Sequence, residues 1–122
     1  MLLLFSTTVL SGEGASDAFK KIQELRAHQE LDHAQAIGQL YLKLHPEDAD
    51  VQLLMGLMAI QKQDYAAAKQ YFDKTLAISP HYLDAQLGLI DLALIEKQPE
   101  QAKKILYHID LKDAKKSTRT GR

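Results

Sequence analysis

By residue type, the five histidines are the side chains best suited to chemistry, since imidazole ligates metals and carries protons near neutral pH. Their spacing argues against both roles. His28 and His33 are separated by five positions across a predicted turn, which puts them on different helical faces. His45 and His81 stand beside Pro46 and Pro80, where a polar loop residue is the simple explanation, and His108 is alone on the last predicted helix. The carboxylates Glu47, Asp48 and Asp50 cluster, but the stretch lacks the glycine and the long ligand spacing of a calcium loop. Asp48 or Asp50 is expected instead to cap the helix that follows.

The remaining chemical signatures are missing from the sequence. It contains no Gly-rich phosphate loop, no Gly-x-Ser-x-Gly elbow and no zinc-protease helix motif. Serine and threonine concentrate in the first and last stretches, away from any histidine–acid pair. With no cysteine there is no disulfide, thiol nucleophile or thiolate metal site. The expectation is a protein that is not an enzyme and holds neither metal nor cofactor.

The elements that would position any site are helices. The 122 residues suit one domain, and 46% hydrophobic with 25% charged residues is ordinary globular usage. Ala, Leu, Gln and Lys dominate over three prolines and six glycines, and these residues lose little rotamer freedom in a helix. The net charge is −1, but 7 Lys and Arg against 3 Asp and Glu in residues 99–122 leave +4 there and −5 elsewhere. That basic end lacks the interleaved aromatics of a single-strand binding platform, so nucleic acid is not expected as a partner.

Residues 1–14 stand apart as a leader. Met1–Leu10 (MLLLFSTTVL) is apolar apart from Ser6, Thr7 and Thr8, and Ser11-Gly12-Glu13-Gly14 follows. The pattern resembles the apolar region and cleavage zone of a secretory signal, with Val9 and Ser11, or Gly12 and Gly14, flanking a cut. No Lys or Arg precedes it, and about ten residues are too few to span a bilayer. A cleaved export signal, an uncleaved membrane-associating anchor and an incidental apolar terminus all stay open. A periplasmic, secreted or membrane-associated location is favoured over a cytoplasmic one.

Sliding the sequence against itself gives one period. Ala34, Ala68 and Ala102 are spaced by 34 residues, as are Pro46 and Pro80. A fixed period of this length signals a helical repeat array. The array divides as 15–48, 49–82 and 83–116, followed by a basic tail over 117–122. In the middle unit Leu53, Leu54, Leu57, Met58 and Ile60 give a first helix, Gln63-Asp64 a turn with Asp64 as cap, and Tyr65, Ala68, Phe72, Leu76 and Ile78 a second helix that Pro80 stops. Helices are predicted near 16–29, 31–44, 49–62, 65–78, 83–96 and 99–110, with Pro99 starting the last and a frayed end after Asp110.

Met55-Gly56, Ala59, Ala68, Phe72, Thr75 and Pro80 fall where the tetratricopeptide repeat has its apolar, small, aromatic and proline positions, and Gln52 departs from its first aromatic. The middle unit therefore resembles that family. The first unit fits at Ile22, Leu25, Ala34 and Pro46 with Gly38 in place of the aromatic, and the third at Leu89, Ala93, Ala102 and Leu106 with Ile90 in place of glycine. The resemblance implies an all-α fold, a right-handed α-α solenoid of three helix-turn-helix hairpins. It further implies that the first helix of each hairpin lines an inner, concave surface that binds a protein or peptide. By register those positions are Phe19, Gln23 and Arg26, then Leu53, Leu57 and Ile60, then Leu87, Asp91 and Leu94. The groove would be largely apolar, and its leucines do not match the Lys, Arg and Asn set with which some members grip a C-terminal carboxylate. Ile105, Leu106 and Ile109 have no polar capping helix after them, which suggests homodimer contacts, a partner, or a longer outer-membrane or polysaccharide-export protein of which this is the N-terminal piece.

Overall fold

Three tight turns of one design set the architecture. The computed structural model describes residues 17–120, with side-chain surroundings through Ile109. In order, the elements are α1 (17–27), α2 (Leu31–Leu44), α3 (Ala49–Gln61), α4 (Tyr65–Ile78), α5 (Leu83–Ile95) and α6 (Pro99–Thr120). No strand occurs among the described residues. The predicted leader, 1–14, and Ser16, the expected first residue of the first helix, lie outside them.

At the end of α3 the Gln63 amide donates to the Ile60 carbonyl at 2.9 Å and the Asp64 amide to Ala59 at 2.8 Å. This paired closure satisfies carbonyls that the helix end leaves free, and it places one residue in the left-handed region. The same pair recurs in the other hairpins, with Gln29 and Glu30 after α1 and Lys97 and Gln98 after α5. Gln29, Gln63 and Lys97 have φ of 64°, 62° and 58°, and their spacing is the 34-residue period again. The second residue of each pair also serves as the N-cap of the next helix, so each hairpin closes with no spare loop. Asp64 does this with its side chain, accepting the Ala67 amide at 3.2 Å.

Between hairpins, Asp48 rather than Asp50 caps α3, accepting the Val51 amide at 3.2 Å, and its other oxygen takes the Tyr41 hydroxyl at 2.8 Å. Asp50 instead accepts the hydroxyl of Tyr82, the N-cap residue of α5, which ties the start of α3 to the start of α5. Gln52, in the place of the expected aromatic, is buried and donates its amide to the Pro46 carbonyl at 3.0 Å. It thereby holds the loop that Pro46 begins. Thr75, in the place of a small residue, is fully buried and donates its hydroxyl back to the Tyr71 carbonyl at 2.8 Å.

Two cores meet on α3. Ile22, Leu25 and Ala34 pack with Val51, Leu54, Met55 and Met58, while Leu53, Ala59, Ala68, Phe72, Ala85 and Leu92 form the second cluster. Ala34 and Ala68 have no exposed surface and Ala102 is also buried, as small residues at close helix crossings should be. Phe72 is wedged between α3 and α5, where Gly56 and Gly88 leave room for its ring. In the first unit the sizes are exchanged: Gly38 occupies the aromatic position, Ile22 the glycine position, and Met55 reaches across to fill the space over Gly38.

The last helix departs from expectation. It runs to Thr120 rather than ending at Asp110, and no Gly or Pro interrupts Leu111–Thr120, so nothing in the sequence stops the backbone ladder.

Candidate functional site

The nine positions assigned to the inner surface lie on α1, α3 and α5, which run side by side. α1 and α3 share the first core, and α3 and α5 touch directly. The positions form three rows at 34-residue steps: Phe19, Leu53 and Leu87; Gln23, Leu57 and Asp91; Arg26, Ile60 and Leu94.

Exposure differs sharply along each row. Leu53 is only 5% exposed and belongs to the second core, so it has little surface to offer a ligand, whereas Leu87 in the same register is 42% exposed. Leu57 is half-buried and touches both cores, and Ile60 is half-buried against the second. Asp91 is exposed and Leu94 is 55% exposed. On α1, Phe19 is half-buried against the first core and Gln23 is exposed. Arg26 is half-buried and donates its Nε to Gln61 Oε1 at 2.5 Å, joining the ends of α1 and α3. The reason is the number of neighbours. α3 has a first helix on both sides, α5 on only one.

Leu83, 43% exposed, and half-buried Ile90 complete a stripe on α5 with Leu87 and Leu94. The steps of four, three and four put these residues on one helical face. That spacing is readable in the sequence, but Leu83 begins the helix and register alone did not single it out.

Charges gather at the edges. Lys62, just past α3, donates to Asp32 at 2.6 Å and to Gln35 at 2.7 Å, and the hydrogen bond to Asp32, together with the lysine charge, holds the Asp32 carboxyl below the usual range. Burial pushes the Tyr41 hydroxyl up to about 12, helped by its hydrogen bond to Asp48 and by the negative charge of Asp48 and Glu47. Tyr82 is raised further by burial, by its bond to Asp50 and by surrounding carboxylates. These phenols stay protonated and act as fixed donors, Tyr41 of α2 to the N-cap of α3 and Tyr82 before α5 to the first turn of α3.

Among the described residues, no group of three or more His, Asp or Glu side chains is placed to hold a metal ion, and no helix is long and apolar enough to cross a membrane. His33 lies 3.7 Å from Glu30 on the surface, and His45 stacks on Tyr41 with ring centroids 4.6 Å apart.

A family model described as tetratricopeptide repeat matches residues 59–119, from the end of α3 through the third hairpin. No curated protein gives a significant match to the chain.

Proposed function

The chain belongs to the tetratricopeptide repeat family, and from that membership we propose that it is a binding module which takes an apolar segment of a partner protein along α1, α3 and α5. The family's repeats are protein-interaction units that bind proteins or peptides and are generally not catalytic. One observation carries the finer reading: the stripe of Leu83, Leu87 and Leu94 on α5 keeps 43%, 42% and 55% of its surface open. Covering the half of each such side chain that is still open contributes roughly 0.7–1.5 kcal/mol gross, so the stripe favours an apolar ligand segment over a polar one. The apolar leader Met1–Leu10 supports a cell-envelope setting for this module.

The test is capture of the native partner by folded variants. Leu87→Lys and Leu94→Lys should each weaken it about tenfold or more, since each puts a charge into an apolar contact, whereas Lys69→Glu on α4 should leave it intact. A folded Leu87→Lys, Leu94→Lys double variant that binds normally removes this groove from consideration.

A second reading, self-association or anchoring through the last helix, is favoured by Leu106 and Tyr107, which are 48% and 67% exposed on α6. Sedimentation of the chain separates the two, because a monomer across the working concentration range rules out the α6 dimer.

A further inference from the structure

The three rows are not uniform in charge. Passing from α1 to α5, the middle row reads Gln23, Leu57, Asp91 and the row beside it Arg26, Ile60, Leu94. A cation therefore stands at the α1 side, a carboxylate at the α5 side, and two half-buried aliphatic side chains lie between them on α3. Arg26 spends its Nε–H on the neutral Gln61 amide, which orients the guanidinium and leaves the terminal fork for an acceptor. Asp91 sits one turn from Leu87 and from Leu94 on the exposed side of α5. Among the described residues neither Arg26 nor Asp91 makes an ion pair.

We infer that the occupant of this groove is a protein segment of opposed ends, an acidic residue for Arg26 and a basic residue for Asp91, separated by an apolar stretch that covers Leu57, Ile60 and Leu94. The inference rests on the groove reading above and gives it a direction. Adjacent packed helices are about 8–10 Å apart, so α1 and α5 are separated by about 16–20 Å. A helical ligand lying across them bridges that span in about 11–13 residues at 1.5 Å each. An all-apolar segment would leave Asp91 facing hydrocarbon, and a segment with two like charges would oppose one end of the groove.

The experiment uses the full chain and three synthetic twelve-residue helical peptides with one Leu/Ala core. The ends carry Glu and Lys, Glu and Glu, or Lys and Lys. The mixed peptide should bind the unaltered protein about threefold more tightly than either single-sign peptide, the worth of an exposed ion pair, and rising salt should erase the difference. Asp91→Lys should make the Glu/Glu peptide the best ligand, and Arg26→Glu should favour the Lys/Lys peptide. Asp91→Asn should simply remove the preference at that end. Circular dichroism establishes that each variant folds. If all three peptides bind alike and Leu94→Lys abolishes binding, the charge pattern is overturned and the apolar groove stands. If Leu94→Lys leaves peptide binding unchanged, or if no peptide binds, both are overturned.

Discussion

The ring of Phe72 occupies the space that a β-carbon on Gly88 would need, its Cζ lying 2.6 Å and its Cε2 2.7 Å from that point. Gly56 presses on the ring from the other helix, with Cε1 at 2.6 Å from its own missing β-carbon. The ring has no direction in which to retreat. Alanine normally stabilises a helix interior by about 1 kcal/mol relative to glycine, but Gly88→Ala should destabilise the protein by about 1–3 kcal/mol through overpacking. Phe72→Leu should recover part of that loss in the double variant. Chemical denaturation of the three variants measures it, and additive effects would show that the two residues are not in contact.

Gly38 should behave in the opposite way. The atom over its missing β-carbon is Met55 Sδ, near the far end of a flexible side chain that can swing aside. Gly38→Ala should therefore change stability by no more than about 1 kcal/mol, because propensity and repacking nearly cancel. A loss as large as that of Gly88→Ala would mean that Met55 is as firmly held as Phe72.

The hairpin turns each force a non-glycine residue to positive φ, at 64° for Gln29, 62° for Gln63 and 58° for Lys97. A side chain there is crowded by its own backbone, at about 1–2 kcal/mol, and glycine is not. Gln63→Gly should raise stability by about 0.5–1 kcal/mol after the extra freedom of the unfolded glycine is counted, while Gln63→Val should lower it. The melting midpoints of the two variants relative to the parent give the answer.

Alkaline pH should loosen these ties between helices. A phenol whose folded pKa lies above its unfolded value of 10.0 contributes stability that is fully present below pH 10 and is lost as pH rises through the folded value. For Tyr41 that window runs from about 10 to about 12. The melting midpoint should fall across it, and Tyr41→Phe with Tyr82→Phe should flatten the decline. Tyrosinate absorbance at rising pH should show these two phenols ionising above 10.0, and ionisation at that value would remove the effect.

Much of the fold was legible because it is local and repeated. The capping aspartates and the prolines each act within a turn or two of chain and the alanines repeat at 34 residues, so together they located the hairpins and, among the described residues, the helix boundaries to within a residue or two, the end of α6 excepted. The end of α6 was misjudged because loss of an apolar pattern was read as loss of helix. A backbone ladder with no Gly or Pro to stop it continues without a buried face.

The site was less legible. Register assigned Leu53 and Leu87 to the same place on their helices, and the sequence makes them chemically identical. Only the packed array separates them: α3 is enclosed between neighbours and draws Leu53 into the core, while α5 borders a single first helix and leaves Leu87 open. Likewise the left-handed turns at Gln29, Gln63 and Lys97 carry no glycine or asparagine that could announce them, since the conformation is imposed by the closure of two helices and not by the side chain. The order of residues determined that there would be three helical hairpins and which face of each would be apolar. The tertiary structure decided which apolar residues remain at the surface, because exposure depends on how many helices come to lie against each face.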